Sequence, residues 1–159
     1  LVESNADSCV PLIQRNIKSL LEKNVNETAQ DPTLTTYCRK INKKDGYLDF
    51  SSQASHLVDR IMAFKSWPGC GLLIDGQKFR IGSAKSLENN ILLDVGVTQI
   101  DSDGNVMIGT GEGILILHEL QRPGGKMLKS SDFLRGYEFP VGQTLESYDM
   151  AQLVIPTKE

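Results

Sequence analysis

The stretch Arg60-Ile-Met-Ala-Phe-Lys-Ser-Trp-Pro-Gly-Cys-Gly71 divides the sequence into two kinds of pattern. Proline cannot continue a helix and glycine opens left-handed backbone angles, so Pro68-Gly69 marks the end of a helix. The residues before this stretch indicate mainly helix and linker, and the residues after it indicate mainly β-hairpins. The predicted fold class is therefore mainly β with helices, an α+β protein.

An amphipathic helix is predicted close to the N-terminus. Asp7 and Ser8 are residue types that cap a helix start, and apolar residues then recur every three or four positions, at Val10, Ile13, Ile17, Leu20 and Leu21. Residues 24–32 are polar and end in Asp31-Pro32, which predicts an extended linker. Two interpretations of this helix stay open, since it could pack on its own domain or belong to a neighbouring one.

A second helix and a series of short strands are predicted on the two sides of Pro68-Gly69. Ser51 or Ser52 can cap this helix, and its apolar stripe would fill one end of a small core with Ala54, Leu57, Val58, Ile61 and Phe64. Asp75-Gly76 supplies the positive-φ residues of a tight hairpin. The hairpin is predicted over residues 72–81 and further strands over residues 91–95, 97–100, 106–108 and 114–120. Because closure removes exposed sheet edges, we expect a small closed barrel.

Composition and cysteine usage limit the class of protein. With 40% hydrophobic and 23% charged residues, the chain has the composition of an ordinary globular protein. No apolar run approaches the roughly 20 residues that span a bilayer, so we expect no membrane or export segment. The three cysteines are far apart and form no CxxC motif, which indicates neither a disulfide framework nor a metal site. This cysteine usage favours a reducing, cytoplasmic location.

Charge is distributed unevenly along the sequence. Residues 36–136 hold 13 basic and 11 acidic residues, a balance of +2, whereas both ends of the chain are acidic. Such a balance does not by itself establish an anionic partner. Four of the basic residues, Arg39, Lys40, Lys43 and Lys44, precede the Asp45-Gly46 turn, and on charge alone they indicate a solvated turn.

Two glycine-rich segments fail as phosphate-binding loops. Gly109-Thr-Gly-Glu-Gly113 leads into a strand instead of a helix, which indicates a hairpin turn. Arg122-Pro-Gly-Gly-Lys-Met127 lacks the first glycine and the Ser/Thr of a P-loop. His56 has no second ligand or base near it in sequence, and the pattern around Trp67 favours a core position over stacking on a nucleic-acid base.

Five pieces of the sequence, in this order, resemble the C-terminal part of the methionyl-tRNA formyltransferase family. They are Tyr37-Cys-Arg-Lys-Ile41, Asp45-Gly-Tyr-Leu-Asp-Phe50, the stretch from Arg60 to Gly69, Gly109-Thr-Gly-Glu-Gly113, and Leu120-Gln-Arg-Pro-Gly-Gly-Lys126 with Asp132-Phe-Leu-Arg-Gly136. The resemblance covers residues 36–136. Residues 1–35 resemble the end of the family's catalytic domain and its connection, and residues 137–159 match no part of the family and are taken as a C-terminal tail.

The resemblance implies a division of labour in a larger protein. Residues 36–136 would form an OB-like Greek-key β-barrel that helps to hold initiator methionyl-tRNA. A formyl group would pass from 10-formyltetrahydrofolate to the amino group of that tRNA in an N-terminal, Rossmann-like domain of the same protein. The Asn, His and Asp catalytic set of that domain has no counterpart here, because His56 and His118 lie in the wrong motifs. We therefore expect no catalytic residue, cofactor or metal in this chain, and a monomer.

Eight cations are candidates for contacts with the RNA backbone, since lysine and arginine neutralise phosphates and release counterions. They lie in turns, on the polar face of a strand or in the loop after the last strand: Lys43, Lys44, Lys65, Lys78, Arg80, Lys85, Arg122 and Lys126. Strand alternation predicts that Lys78 and Arg80 project from one face. The resemblance supports Lys126 through its Pro-Gly-Gly-Lys motif.

Three classes of function stay open at this point. The chain could be the tRNA-binding part of a methionyl-tRNA formyltransferase. It could instead serve as a structural partner in a relative with another acceptor, such as a 10-formyltetrahydrofolate hydrolase or a sugar-nucleotide formyltransferase. A stand-alone interaction module is the third possibility, although a start at Leu1 instead of methionine counts against it.

The missing catalytic set yields a direct prediction. The 159-residue chain, incubated with 10-formyltetrahydrofolate and methionyl-tRNA, should transfer no formyl group above the uncatalysed rate. The product is measured by chromatography of the amino acid released from the tRNA. Detection of formylmethionine would contradict this expectation.

Overall fold

The computed structural model describes residues 2–88 and 93–155. The described chain divides into two compact units, of which the first ends at Thr36 and the second begins at Tyr37. The first unit is helical, and the second contains the β-structure. Within these ranges, none of the helices has the length and hydropathy that crossing a bilayer would require.

Helix α1 spans Val2–Leu21 and so begins earlier than predicted. Ser8 does not cap the helix, because it lies within α1. Its hydroxyl donates a hydrogen bond to the carbonyl oxygen of Ser4 at 2.8 Å. Pro11 also lies well inside α1, where it has no N–H to donate to the carbonyl four residues earlier. The apolar stripe is exposed at Val10, Leu12, Ile13, Ile17, Leu20 and Leu21.

The second unit is built on a curled antiparallel sheet. Its elements are β1 (Tyr37–Cys38), α2 (Ala54–Ala63), β2 (Gly71–Ile74), β3 (Gln77–Leu87), β4 (Thr98–Ile100), β5 (Val106–Gly109), β6 (Ile114–Gln121), β7 (Met127–Lys129), α3 (Ser130–Arg135) and β8 (Val154–Ile155). The main sheet has the order β2-β3-β6-β5-β4, with β7 also paired to β6, while β1 and β8 form a separate ribbon. Strands β4, β5 and β6 follow one another as antiparallel neighbours, and β3 lies beside β6, which is Greek-key connectivity. The predicted small α+β, OB-like fold is confirmed.

Most elements of the second unit lie within a few residues of the positions that the sequence predicts. The β2–β3 turn has Asp75 at φ 50° and Gly76 at φ 73°, as predicted. Helix α2 buries its predicted stripe, but Gln53 precedes it, and Ser51 instead donates to the Asp49 carboxylate at 2.7 Å. The strand predicted over 91–95 begins outside the described residues, and its described part, 93–95, is not a strand. Strands β1, β7 and β8 were not predicted.

The Gly109-Thr-Gly-Glu-Gly113 segment is a tight turn between β5 and β6, as expected. Gly111 donates its N–H to the carbonyl oxygens of Phe50 at 2.9 Å and Ser52 at 3.1 Å. A Cβ atom at this position would overlap the carbonyl oxygen of Ser51. Only glycine therefore allows this turn to approach the chain before α2.

Residues 137–145 cover the opening of the curled sheet between its end strands β2 and β4. Next to β4, Thr98 donates its N–H to Gln143 at 3.1 Å and accepts from the N–H of Gly142 at 2.8 Å. Next to β2, Leu73 and Ile74 line a groove together with residues of this segment. Among the described residues β2 and β4 do not pair with each other, so the sheet is a half-barrel completed by an extended segment instead of a strand-closed barrel.

The same segment contributes to the hydrophobic core. Phe139 and Leu145 keep only 5% and 6% of their surface exposed. Tyr137 packs against the rings of Phe79 and Phe133, with centroids 4.9 Å and 5.4 Å away. The segment is thus part of the folded unit and not a peripheral tail.

Removal of the Phe139 side chain should test this contribution. Phe139→Ala should lower the free energy of unfolding by about 3–5 kcal/mol, because a buried aromatic ring leaves a cavity. Val141→Ala is the control, since Val141 lies in the same segment with 49% of its surface exposed, and it should change stability by less than about 0.5 kcal/mol. Urea unfolding followed by circular dichroism measures both, and equal effects would show that the segment does not support the core.

Candidate nucleic-acid interface

The junction between α2 and β2 is a folded turn that brings backbone carbonyls towards β3. Phe64 ends α2 by donating its N–H to Arg60 at 3.0 Å, and Gly69 donates its N–H to Phe64 at 2.9 Å. The Trp67-Pro68 peptide bond is cis, and Gly69 has φ 75°. The carbonyl oxygen of Gly69 then accepts a hydrogen bond from Lys78 Nζ at 2.9 Å.

Three of the predicted cations meet beside this junction. An open groove of about 260 Å³ is lined by Lys78, Arg80 and Arg122 together with Pro68, Gly69, Gln121, Pro123 and Gly124. We call it the cationic groove. Lys78 and Arg80 share one face of β3, as strand alternation predicts. Arg122 reaches the groove from the loop after β6, which lies next to β3 in the sheet.

Backbone carbonyls hold the two guanidinium groups of the groove. Arg80 Nη2 donates to Lys65 O at 2.5 Å and to Ser66 O at 3.4 Å. Arg122 Nη1 donates to Gly136 O at 3.2 Å. A Cβ atom at Gly69 would lie 2.6 Å from Arg80 Nε, so glycine is needed for Arg80 to occupy this position. Each guanidinium keeps further N–H donors for another partner.

The positive charge of the groove is not neutralised within the described residues. The ion pairs found there are Arg39–Asp45, Arg60–Asp45 and Arg135–Asp132, and none includes a groove cation. Burial lowers the pKa of Lys78, and the nearby Arg80 acts in the same direction. Lys78 Nζ also lies 4.9 Å from the ring centroid of Tyr47, a cation–π contact that leaves its charge uncompensated. Such a site favours an anion.

Three other predicted cations lie close to the groove. Lys43 and Lys44 belong to a 3₁₀ turn, Lys43–Gly46, and are exposed. A Cβ atom at Gly46 would lie 2.7 Å from Lys78 Nζ, so this turn adjoins the groove. The carbonyl oxygen of Lys65 accepts a hydrogen bond from Arg80. Lys65 itself lines a different cavity, together with His118 and Lys129.

The last two predicted cations lie outside the groove. Lys126 is exposed in the β6–β7 loop, two residues beyond Gly124, which lines the groove. Lys85 is exposed on β3, five residues beyond Arg80, which corresponds to about 17 Å along an extended strand. The structure therefore gathers Lys78, Arg80 and Arg122 and places Lys43, Lys44 and Lys65 next to them. Lys126 lies just beyond the groove lining, and Lys85 is separated from the groove.

The sequence analysis missed the ion-pair network of Asp45. The Asp45 side chain is 4% exposed and binds both terminal nitrogens of Arg39, one of them at 2.9 Å. It also accepts from the N–H of Asn42 at 2.7 Å and lies 3.6 Å from Arg60 Nη2. Arg39 is thus a structural residue, contrary to the solvated turn expected from charge alone. The network fixes the 3₁₀ turn that lies beside Lys78.

The expectation that Trp67 belongs to the core is wrong, because 54% of its surface is exposed. Phe64, three residues earlier, is 3% exposed and occupies the core position at the end of α2. In the described part of the chain the indole makes no ring contact or hydrogen bond. The signal that could have indicated this is the predicted helix end, after which helical periodicity no longer applies.

Solved structures that resemble this chain include those of HypX from Aquifex aeolicus. The complex of that protein with tetrahydrofolic acid has a TM-score of 0.59 and 16% sequence identity, covering 92% of this chain and 26% of that one. A multiple-substitution variant of HypX has a TM-score of 0.59 and 18% identity, covering 80% and 23%. At these identities the likeness concerns the fold alone, and it agrees with the class of small α+β, OB-like domains.

The family follows from the sequence. Residues 40–138 match the model of the formyl transferase C-terminal domain, and the chain belongs to this family. The methionyl-tRNA formyltransferase of Variovorax paradoxus is 33% identical over 117 residues, which are 73% of this chain and 37% of that protein. The methionyl-tRNA formyltransferase of Treponema pallidum (strain Nichols) is 38% identical over 110 residues, 68% of this chain and 34% of that protein. The resemblance is confirmed, and the chain spans about a third of the length of these relatives.

The Asp45 network should make stability depend on pH. The hydrogen bonds from Arg39 lower the pKa of Asp45 from 3.8 to about 2. The stabilisation is therefore complete above pH 4 and is lost as the pH falls towards 2. Asp45→Asn should lower the free energy of unfolding by about 3 kcal/mol at pH 7, because two arginines lose their carboxylate. The difference from the wild type should shrink between pH 4 and pH 2.

Asp132→Asn is the matched control for this experiment. Asp132 pairs with Arg135 on the surface, where their side chains are 49% and 81% exposed, and such pairs contribute little to stability. Urea unfolding at several pH values measures all three proteins. A pH-independent difference between wild type and Asp45→Asn would contradict the assignment.

Proposed function

We propose that this chain is the tRNA-binding part of a methionyl-tRNA formyltransferase. The formyl group passes from 10-formyltetrahydrofolate to the amino group of initiator methionyl-tRNA in a separate Rossmann-like domain of the same cytoplasmic, monomeric enzyme. Family membership and the names of the similar proteins support this proposal. The chain spans about a third of the length of those proteins, which leaves room for a separate catalytic domain in the proposed enzyme.

The two units have different tasks in this proposal. Residues 1–35 connect the chain to the catalytic domain, and residues 36–136 form the OB-like domain that binds tRNA. Residues 137–155 complete the half-barrel, since they supply Phe139 and Leu145 to its core. The exposed apolar stripe of α1 is compatible with a neighbour outside this chain.

The single observation that carries the binding role is the cationic groove. Lys78, Arg80 and Arg122 share one groove, and no carboxylate of the described residues pairs with them. Charge-assisted hydrogen bonds from guanidinium and ammonium groups are the strong contacts that phosphates accept. Contacts of this kind position an RNA backbone without reading its sequence. Lys43, Lys44 and Lys126 extend the positive surface around the groove, whereas Lys65 lines a separate cavity and Lys85 lies further along β3.

Titration with initiator tRNA at two salt concentrations tests this role. Arg122→Gln should weaken binding about tenfold at low salt, which corresponds to ~1.4 kcal/mol. It should also reduce the slope of log K against log salt by about 1, since one phosphate contact is lost. Lys85→Gln is the matched control, because it removes the same charge from an exposed site outside the groove.

The outcomes separate the proposed role from its alternatives. A larger effect of Arg122→Gln than of Lys85→Gln supports binding through the groove. Equal effects would show that only the net charge matters. Absence of binding to tRNA at low salt would overturn the proposal and leave a structural role in a formyltransferase with another acceptor.

A further inference from the structure

We propose that Trp67 and the cationic groove together form a subsite for one unpaired nucleotide of RNA. The base stacks on the exposed indole, and the phosphate of the same nucleotide is held by Arg80 and Arg122. This inference rests on the proposed function, because it specifies how the same surface contacts RNA. It is distinct from phosphate binding alone, which needs no aromatic side chain.

The indole of Trp67 has the properties of a stacking platform. More than half of its surface is exposed, at 54%. In the described part of the chain no aromatic ring or cation lies on either of its faces. Tryptophan combines a large apolar ring with a polar N–H and is enriched at surfaces that contact a partner. Stacking on aromatic side chains is the usual sequence-tolerant contact of unpaired bases.

The backbone joins Trp67 directly to the groove on both sides. The residue before it, Ser66, accepts a hydrogen bond from Arg80 Nη2 at 3.4 Å. The two residues after it, Pro68 and Gly69, line the groove. Trp67 is therefore the immediate sequence neighbour of Pro68, which lines the groove, and of Ser66, which binds Arg80. We infer from this adjacency that one nucleotide contacts both the indole and the groove.

The junction that carries Trp67 is already ordered. Lys65 donates its N–H to Met62 at 3.3 Å, and Gly69 donates its N–H to Phe64 at 2.9 Å. Arg80 fastens the middle of the junction through Lys65 O at 2.5 Å. Because these bonds fix the backbone before binding, an incoming base loses little affinity to the ordering of the protein.

An unpaired nucleotide fits this arrangement better than a duplex. In a duplex both faces of each base are covered by neighbouring pairs, and insertion of a side chain costs a few kcal/mol per step. In loops and single-stranded ends the base faces are accessible to aromatic side chains. The three cations of the groove can bind the phosphates of either form, so the indole is the part that distinguishes them.

Trp67 is itself the probe for the test, since it is the only tryptophan in the sequence. The 159-residue chain is titrated at low salt with a hexamer of riboadenosine and with a blunt RNA duplex of equal phosphate number. The single strand should quench the fluorescence of Trp67, whereas the duplex should not. Trp67→Leu should weaken binding of a labelled hexamer about tenfold in anisotropy measurements and change duplex binding less than twofold.

Two variants control for folding and for general loss of apolar surface. Met62→Ala removes a side chain that is also 54% exposed, at the end of α2, and it should leave hexamer binding unchanged. Trp67→Phe keeps an aromatic ring and should restore part of the affinity that Trp67→Leu loses. Urea midpoints of all variants should agree with that of the wild type.

Each outcome has a defined meaning. Quenching by the single strand, with a selective loss in Trp67→Leu, supports the subsite. Binding of both RNAs without quenching, and without an effect of Trp67→Leu, overturns the subsite and leaves the proposed function intact. Failure of the hexamer, the duplex and initiator tRNA to bind at low salt overturns both.

Discussion

The pairing of β3 with β6 is the constraint on which the rest of the second unit depends. β6 spans Ile114–Gln121 and pairs with β3 along one edge and with β5 and β7 along the other. The register of β3 against β6 shifts between Ile81 and Ala84, which is a bulge that bends the strand. The bend curls the sheet around the core. It also changes which strand positions face outwards. Arg80 occupies an even-numbered position, yet after the bulge the odd-numbered Lys85 is exposed.

The arginines of this domain fall into two groups according to what satisfies them. Arg39 and Arg60 share the buried carboxylate of Asp45, which neutralises one of their two positive charges within the protein. Arg80 and Arg122 are oriented by carbonyl oxygens, which accept hydrogen bonds but carry no net charge. A carbonyl can therefore position a cation without neutralising it. This difference is the physical basis of the proposed attraction of the groove for phosphate.

Much of the fold could be predicted because its signals are local. Each of these signals reflects a backbone or packing requirement that is visible within a few residues. Examples are the Asp75-Gly76 turn, the apolar stripe of α2 and the glycines before β6. The sequence was sufficient to name the eight candidate cations. It could not show which of them converge, because that depends on the register of β2, β3 and β6. The structure brings three of them together in one groove.

The features that escaped prediction depend on contacts between distant parts of the sequence. Residues 137–145 show no helical or strand periodicity, and their role depends on the gap between β2 and β4. The two-residue strands β1 and β8 lie more than a hundred positions apart. Asp45 looks like a turn residue until Arg39 and Arg60 are brought to it by the fold. Trp67 was misjudged because a rare and large apolar residue usually lies inside.

The ribbon of β1 and β8 has a consequence for how such a domain can be combined with others. Tyr37 pairs with Ile155 and Cys38 with Val154, so the polypeptide enters and leaves the second unit at nearly one point. A module with adjacent ends can be spliced into a surface loop of a host without pulling the host apart, and its own ends can be joined to open it elsewhere. Such a geometry favours reuse of the module by recombination.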